Sequence, residues 1–107
     1  MNIMISAEFF TRPDGELVGF SITGHNGEAG RDIVCASVSS AAYMTANTIT
    51  EIMKADAQVA VEDGYMLVRI SSNEVKNCRD ILAGFKLHLQ ELEEQYPKNI
   101  HVSYTEV

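Results

Sequence analysis

The spacing of the apolar residues changes repeatedly along this 107-residue chain, and no other feature limits the possible folds so strongly. Where apolar and polar residues alternate, the pattern predicts strands. Five such segments occur, at residues 2–10, 17–22, 57–62, 66–70 and 100–105. The turn residues Pro13-Asp14-Gly15 and Asp63-Gly64 join the first four strands into two hairpins.

Two longer segments, residues 33–53 and 74–96, follow the helical period of 3.6 residues instead. The first helix is predicted to bury one stripe, formed by Val34, Val38, Ala41, Ala42, Thr45, Ile49, Ile52 and Met53. Ser71 and Glu74 match a capping box at the start of the second helix. The order of elements predicts an α+β fold: a two-layer sandwich in ββαββαβ order, with two helices packed on one face of a mainly antiparallel sheet. The length fits one domain over residues 1–107.

The charge balance disfavours two classes of partner. The formal net charge of −7 argues against nucleic acid and anionic membranes, both of which attract a basic surface. It suits a basic protein partner, but taken alone it is explained more simply as keeping the protein soluble. The start of the chain lacks the pattern of a signal peptide, and no apolar run approaches the length of a membrane span. We therefore expect a cytoplasmic protein with reduced cysteines.

Candidate chemistry is concentrated around a glycine-rich segment between the second strand and the first helix. His25 precedes this segment and Cys35 follows it. Asp32 is a good N-cap residue, which places Cys35 in the first helical turn, at the edge of the apolar stripe. The amides and dipole of a helix start lower the pKa of a thiol, and a neighbouring histidine can act as its base. A Cys/His nucleophile pair is therefore one hypothesis, and a small buried cysteine is the plain structural alternative.

The remaining candidates favour structural roles. Gly24, Gly27 and Gly30 match neither known phosphate-binding fingerprint. Cys78 falls on the apolar stripe of the second helix, so we interpret it as a core residue. His88 and His101 are expected at the surface, without the spacing of metal ligands, and we predict neither a metal nor a cofactor.

The segment also resembles a known family. Gly24-His25, the run Asp32-Ile33-Val34-Cys35-Ala36 and Ser39 together look like the motif of the ribosomal-processing cysteine proteases, the Prp family. The resemblance covers essentially the whole chain. It implies that His25 and Cys35 form the catalytic dyad, and that Gly24, Asp32 and Ser39 support it.

The same resemblance implies a function and an assembly state. Family members remove an N-terminal extension from ribosomal protein twenty-seven of the large subunit. The resemblance also implies that the chain forms a homodimer. Two alternatives remain: a non-catalytic ribosome-associated binding module and another thiol-dependent acyl-transfer enzyme. Residues 26–31 lack a large apolar anchor, so for a protease we expect them to form a lid that orders over bound peptide.

Overall fold

The computed structural model describes residues 4–24 and 33–107, and these residues form one mixed sheet with two long helices. The strands are β1 Ile5–Thr11, β2 Leu17–Thr23, β3 Ala57–Glu62, β4 Tyr65–Ile70 and β5 Ile100–Glu106. The helices are α1 Ile33–Asn47 and α2 Val75–Gln95. The sheet order is β3-β4-β2-β1-β5; β1 and β5 pair in parallel, and the other three pairs are antiparallel. The predicted α+β sandwich with a mainly antiparallel sheet is confirmed.

The core lies between the helices and one face of the sheet. Alternate residues of β1 are buried there, with Phe9 fully inaccessible to solvent. The Phe9 ring lies 6.1 Å from that of Phe20 on β2 and 5.7 Å from that of Phe85 on α2, measured between centroids. Phe20 and Phe85 are closer still, at 4.6 Å. Because each buried aromatic ring removes a large apolar surface from water, this cluster fixes α2 over the centre of the sheet.

The two helices leave one edge of the sheet uncovered. Since α2 packs on β2 and β5, which flank β1, it lies above β1. α1 packs beside α2 in the same layer. Five of the six residues of β3 are exposed, so this edge strand lies beyond the helical layer. In the described residues, neither helix has an apolar stretch long enough to cross a bilayer.

The first helix departs from its predicted periodicity at its C-terminal end. Residues Thr48–Ile52 form a π-helical turn, closed by a 2.8 Å hydrogen bond from the Met53 amide to the Thr48 carbonyl. This wider turn rotates the following residues relative to an α-helix. Ile52 is consequently 77% exposed, and its predicted place in the buried stripe is wrong.

The predicted capping box at the start of α2 is also wrong. The Ser71 hydroxyl donates to a carboxylate oxygen of Asp56 at 2.5 Å and does not cap the helix. The Glu74 carboxylate accepts from the Asp56 amide at 2.5 Å instead of reaching back to Ser71. Both side chains therefore connect the start of β3 to the start of α2. This contact joins residues far apart in the sequence, so a local motif does not predict it.

Candidate active site

The candidate nucleophile lies in the first turn of α1. Cys35 is the third residue of the helix, after Ile33 and Val34. The first amides of an α-helix have no carbonyl partner within the helix, and they carry the positive end of its dipole. A thiol in this position is close to groups that stabilise negative charge on sulfur and on a developing oxyanion.

Cys35 is more deeply placed than the sequence predicts. Its exposed fraction is 7%, whereas a residue at the edge of the stripe is expected to be half accessible. The buried residues of α1 are Val34, Cys35, Val38, Ala42, Thr45 and Ala46. At 100° per residue Cys35 lies near the Ala46 side of this arc, next to half-buried Ser39, so its predicted place at the edge of the stripe agrees with the structure and its predicted half accessibility does not. Reagents and substrate therefore meet a small part of the sulfur surface.

Ser39 lies one helical turn after Cys35 and is half-buried. Residues four apart in a helix share a face, so the fold places this hydroxyl and the Cys35 thiol on the same flank of α1. That juxtaposition is the one expected of a supporting residue. The role of Ser39 stays a prediction.

Gly24 ends β2 in a conformation that requires glycine. Its φ is +84°, and a Cβ placed there would lie 2.6 Å from the Met4 carbonyl oxygen. Its amide donates a 3.0 Å hydrogen bond to the Gly64 carbonyl in the turn between β3 and β4. Gly24 thus fixes the exit of β2 beside that turn, immediately before the position of His25 in the chain.

Replacing Gly24 by alanine should destabilise the fold more than the same change at Gly15. Both glycines have positive φ, +84° and +87°, but a Cβ at Gly15 would meet no atom within 4 Å. We expect a cost of roughly 1 kcal/mol for Gly15→Ala and roughly 2–4 kcal/mol for Gly24→Ala, measured by urea unfolding. Equal costs would show that the contact with the Met4 carbonyl imposes no constraint.

The second cysteine has the environment of a packing residue, as predicted. Cys78 is fully buried and is the fourth residue of α2, so it lies in the first turn of that helix and is distinguished from Cys35 by its environment, not by its place in a helix. Burial, together with the negative charge of Glu74, raises the pKa of the Cys78 thiol. A raised pKa reduces the thiolate fraction at neutral pH and makes this sulfur a poor nucleophile.

Alkylation should distinguish the two thiols. In the folded chain, iodoacetamide should modify Cys35 at least about tenfold faster than Cys78, because Cys78 is inaccessible and its thiol has a raised pKa. His25→Ala should slow the reaction of Cys35 at neutral pH. Tryptic mapping of timed samples measures both rates, and unfolding in urea should make them similar. Equal rates in the folded chain would contradict an activated Cys35.

The described histidines lie away from the Cys35 flank of α1. His88 is exposed and lines a groove of about 590 Å³ between α1 and α2, opposite Ser37 and Ala41. At 100° per residue, these two α1 residues face away from Ser39. His101 is exposed on β5, with its Nδ1 3.6 Å from a Glu93 carboxylate oxygen. Both surface predictions are confirmed.

The other half of the predicted site lies outside the described residues. This applies to His25, to Asp32 and to the predicted lid at 26–31. The fold brings together Cys35 and Ser39 on one flank of α1, with Gly24 at the end of β2. Within the described residues, no group of three or more His, Cys, Asp or Glu side chains is arranged to hold a metal ion.

Comparison with known proteins identifies the protein family of this chain. The family model described as cysteine protease Prp matches residues 4–101. The chain belongs to the Prp family of cysteine proteases. A relative named ribosomal processing cysteine protease Prp, from Staphylococcus aureus, is 28% identical over 105 residues, which cover 94% of this chain and 99% of the relative.

Solved structures of the Staphylococcus aureus Prp have the same fold. One, in complex with a substrate peptide, superimposes with a TM-score of 0.84 at 26% identity and covers 95% of this chain and 100% of that chain. Another, in complex with a covalently linked product peptide, has a TM-score of 0.85 at 27% identity with the same coverage. The Prp match therefore extends from sequence motif to complete architecture.

Proposed function

We propose that this Prp-family chain removes the N-terminal extension of large-subunit ribosomal protein twenty-seven, with Cys35 as nucleophile and His25 as its base. The observation that carries the proposal is the position of Cys35 in the first turn of α1, within a chain that matches cysteine protease Prp over residues 4–101. The Staphylococcus aureus relative is named for ribosomal processing, and its structures hold a substrate peptide and a covalently linked product peptide.

The chemistry follows the usual course of a thiol protease. The Cys35 thiolate attacks the scissile carbonyl carbon, and the oxygen of the resulting tetrahedral intermediate accepts hydrogen bonds from amides of the first turn of α1. The carbon–nitrogen bond then breaks as His25 gives its proton to the leaving amine. Water hydrolyses the thioester, which releases the extension as a carboxylic acid and regenerates the thiol.

The supporting residues have distinct roles in this proposal. Gly24 holds the end of β2, from which His25 follows in sequence. Asp32 caps α1 by accepting a hydrogen bond from one first-turn amide, which fixes the start of the helix and leaves the other first-turn amides for the oxyanion. Ser39 lies on the Cys35 flank, where a hydroxyl can orient bound peptide or solvent. No residue in this scheme requires a metal or an organic cofactor.

The partners follow from charge and from the family. A net charge of −7 favours a basic substrate such as a ribosomal protein and disfavours direct binding to nucleic acid. We propose a cytoplasmic homodimer, supported by apolar side chains that α1 presents to solvent, with Tyr43 42% and Met44 60% exposed. Light scattering in solution should give twice the monomer mass, and a monomer at micromolar concentration would contradict the dimer.

The substrate assignment is tested with the organism's own ribosomal protein. The extended protein should lose its N-terminal segment at one position when incubated with this chain, as intact mass measures. The same protein produced without the extension is the matched control and should keep its mass. An extended protein that remains intact would contradict the proposed substrate, although the chain would remain a member of its family.

A further inference from the structure

The outer edge of β3 presents backbone groups to solvent at alternate residues. The Ser71 amide donates to the Asp56 carbonyl at 3.0 Å, so the backbone at Asp56 faces β4. Backbone direction alternates along an antiparallel strand, and the regular β3–β4 register continues this alternation. The amides and carbonyls of Ala57, Val59 and Val61 therefore face outward, away from the sheet.

The opposite edge of the sheet is occupied by a side chain at one backbone position, whereas β3 is open along its length. On β5, the outward amide of Val102 donates to a Glu93 carboxylate oxygen at 2.8 Å, so a side chain of α2 occupies that position. In the described residues no side chain bonds the backbone of β3 in this way. β3 also lacks the proline, lysine or bulge that commonly prevents strand addition.

The helix-side face of β3 is apolar and uncovered. Val59 pairs with Val68 and Val61 pairs with Met66, both of which are buried beneath the helices. Directly opposed residues share a face, so Val59 and Val61 point to the same side, yet they are 42% and 47% exposed. An extended segment beside β3 would find apolar contacts at every second residue.

The charges around β3 indicate which segment fits. Asp56 precedes the strand, and Glu62 and Asp63 end it. A second copy of β3 in antiparallel pairing would place Glu62 and Asp63 near Asp56 of its neighbour, and opposed like charges are destabilising. A basic segment would meet the carboxylates of Glu62 and Asp63 at the C-terminal end of β3, whereas at the other end exposed Lys54 lies close to Asp56 in the chain.

We propose that β3 is a docking edge at which a basic, extended polypeptide segment adds as a sixth strand. The hydrogen bond from the Gly24 amide to the Gly64 carbonyl shows that β2 and β3 finish at the same end of the sheet, so one end of a docked segment lies on the side where β2 leads toward the candidate active site. The identification of that segment as part of the substrate rests on the proposed function. The binding of a basic, extended segment to β3 does not rest on the proposed function.

Amide hydrogen exchange on the full chain carrying Cys35→Ala tests the docking without cleavage. The probe is a ten-residue peptide of alternating lysine and valine, and the control peptide alternates glutamate and valine. The lysine peptide should slow exchange at Val59 and Val61 at least about tenfold, because outward amides become hydrogen-bonded. The glutamate peptide should leave both rates unchanged.

Three variants make the test specific. Val61→Pro removes one outward amide without removing a bond to β4, and it should weaken peptide binding about tenfold. The double change Glu62→Gln with Asp63→Asn keeps the strand and should weaken binding about threefold or more. Gln58→Ala, on the other face of the strand, should change binding less than about twofold. Unchanged β4 amide signals verify that each variant is folded.

Several results would overturn the docking proposal. These are unaltered exchange along β3, protection of β5 instead, equal protection by the glutamate peptide, or protection that rises with protein concentration without peptide. The last would identify a second copy as the occupant. Failure of the wild-type chain to cleave the ribosomal protein would refute the proposed function and leave this binding result unaffected.

Discussion

Replacing Cys35 by serine should abolish peptide cleavage while the fold persists. A serine hydroxyl beside an unassisted histidine stays largely protonated, so we expect turnover to fall by roughly a thousandfold or more. The cost to stability should be about 1–2 kcal/mol, because the change puts a hydroxyl at a site that is only 7% exposed. Initial rates on the extended ribosomal protein, together with urea unfolding, measure both effects.

The matched control is Cys78→Ser, which places the same hydroxyl at the other buried cysteine. This variant should lose about 1–3 kcal/mol of stability, since the hydroxyl lies on the apolar stripe of α2, and it should keep its activity per folded molecule. The pair therefore separates chemistry from packing. Turnover retained in Cys35→Ser, or lost only in Cys78→Ser, would contradict the assignment of the nucleophile.

Truncating Phe85 should have the largest effect on stability. Its ring lies 4.6 Å from Phe20 and 5.7 Å from Phe9, and its side chain is 4% exposed. Phe85→Ala leaves a cavity at the contact between α2 and the sheet, so we expect a loss of about 3–5 kcal/mol in the free energy of unfolding. This is a large share of the roughly 5–15 kcal/mol that a single domain has.

Leu87→Ala provides the control on the same helix. Leu87 is 56% exposed, and its truncation should cost less than about 1 kcal/mol. Thermal or urea unfolding of the two variants measures the difference. A similar small loss for both would mean that the aromatic cluster does not fix α2 on the sheet.

Much of the fold can be predicted from the sequence because the buried side chains follow simple periods. Residues such as Ile5, Ala7 and Phe9 alternate with half-buried neighbours in β1, as a strand with one core-facing side requires. Asp63-Gly64 predicts the turn between β3 and β4 from local backbone preferences alone. Such features depend only on residues close together in the sequence, so they can be predicted without knowledge of the fold.

The features that the sequence does not predict depend on contacts between distant residues. The partners of Ser71 and Glu74 are determined by Asp56, which approaches them only after β3 pairs with β4. Ile52 is exposed because a π-helical turn interrupts the period of α1. That β3 is an edge strand beyond the helical layer is likewise a property of the assembled sheet.

The candidate site was predictable to the extent that it is a local motif. The spacing from Gly24 to Ser39 indicates the family, and the family model confirms it. The depth of Cys35 was not predictable, because the buried arc of α1 is set by how the helix rests on the sheet. The pairing of His25 with Cys35 and the capping role of Asp32 stay predictions.

The central claim is that Cys35 forms a thioester with the N-terminal part of the cleaved substrate. Rapid acid quenching of the wild-type chain with extended ribosomal protein, followed by intact mass and peptide mapping, tests it directly. We predict a transient species heavier than the chain by the released extension minus one water, with the modification on Cys35 and absent from Cys35→Ala. Cleavage that proceeds with the adduct on Cys78, or on any residue other than Cys35, would contradict this account.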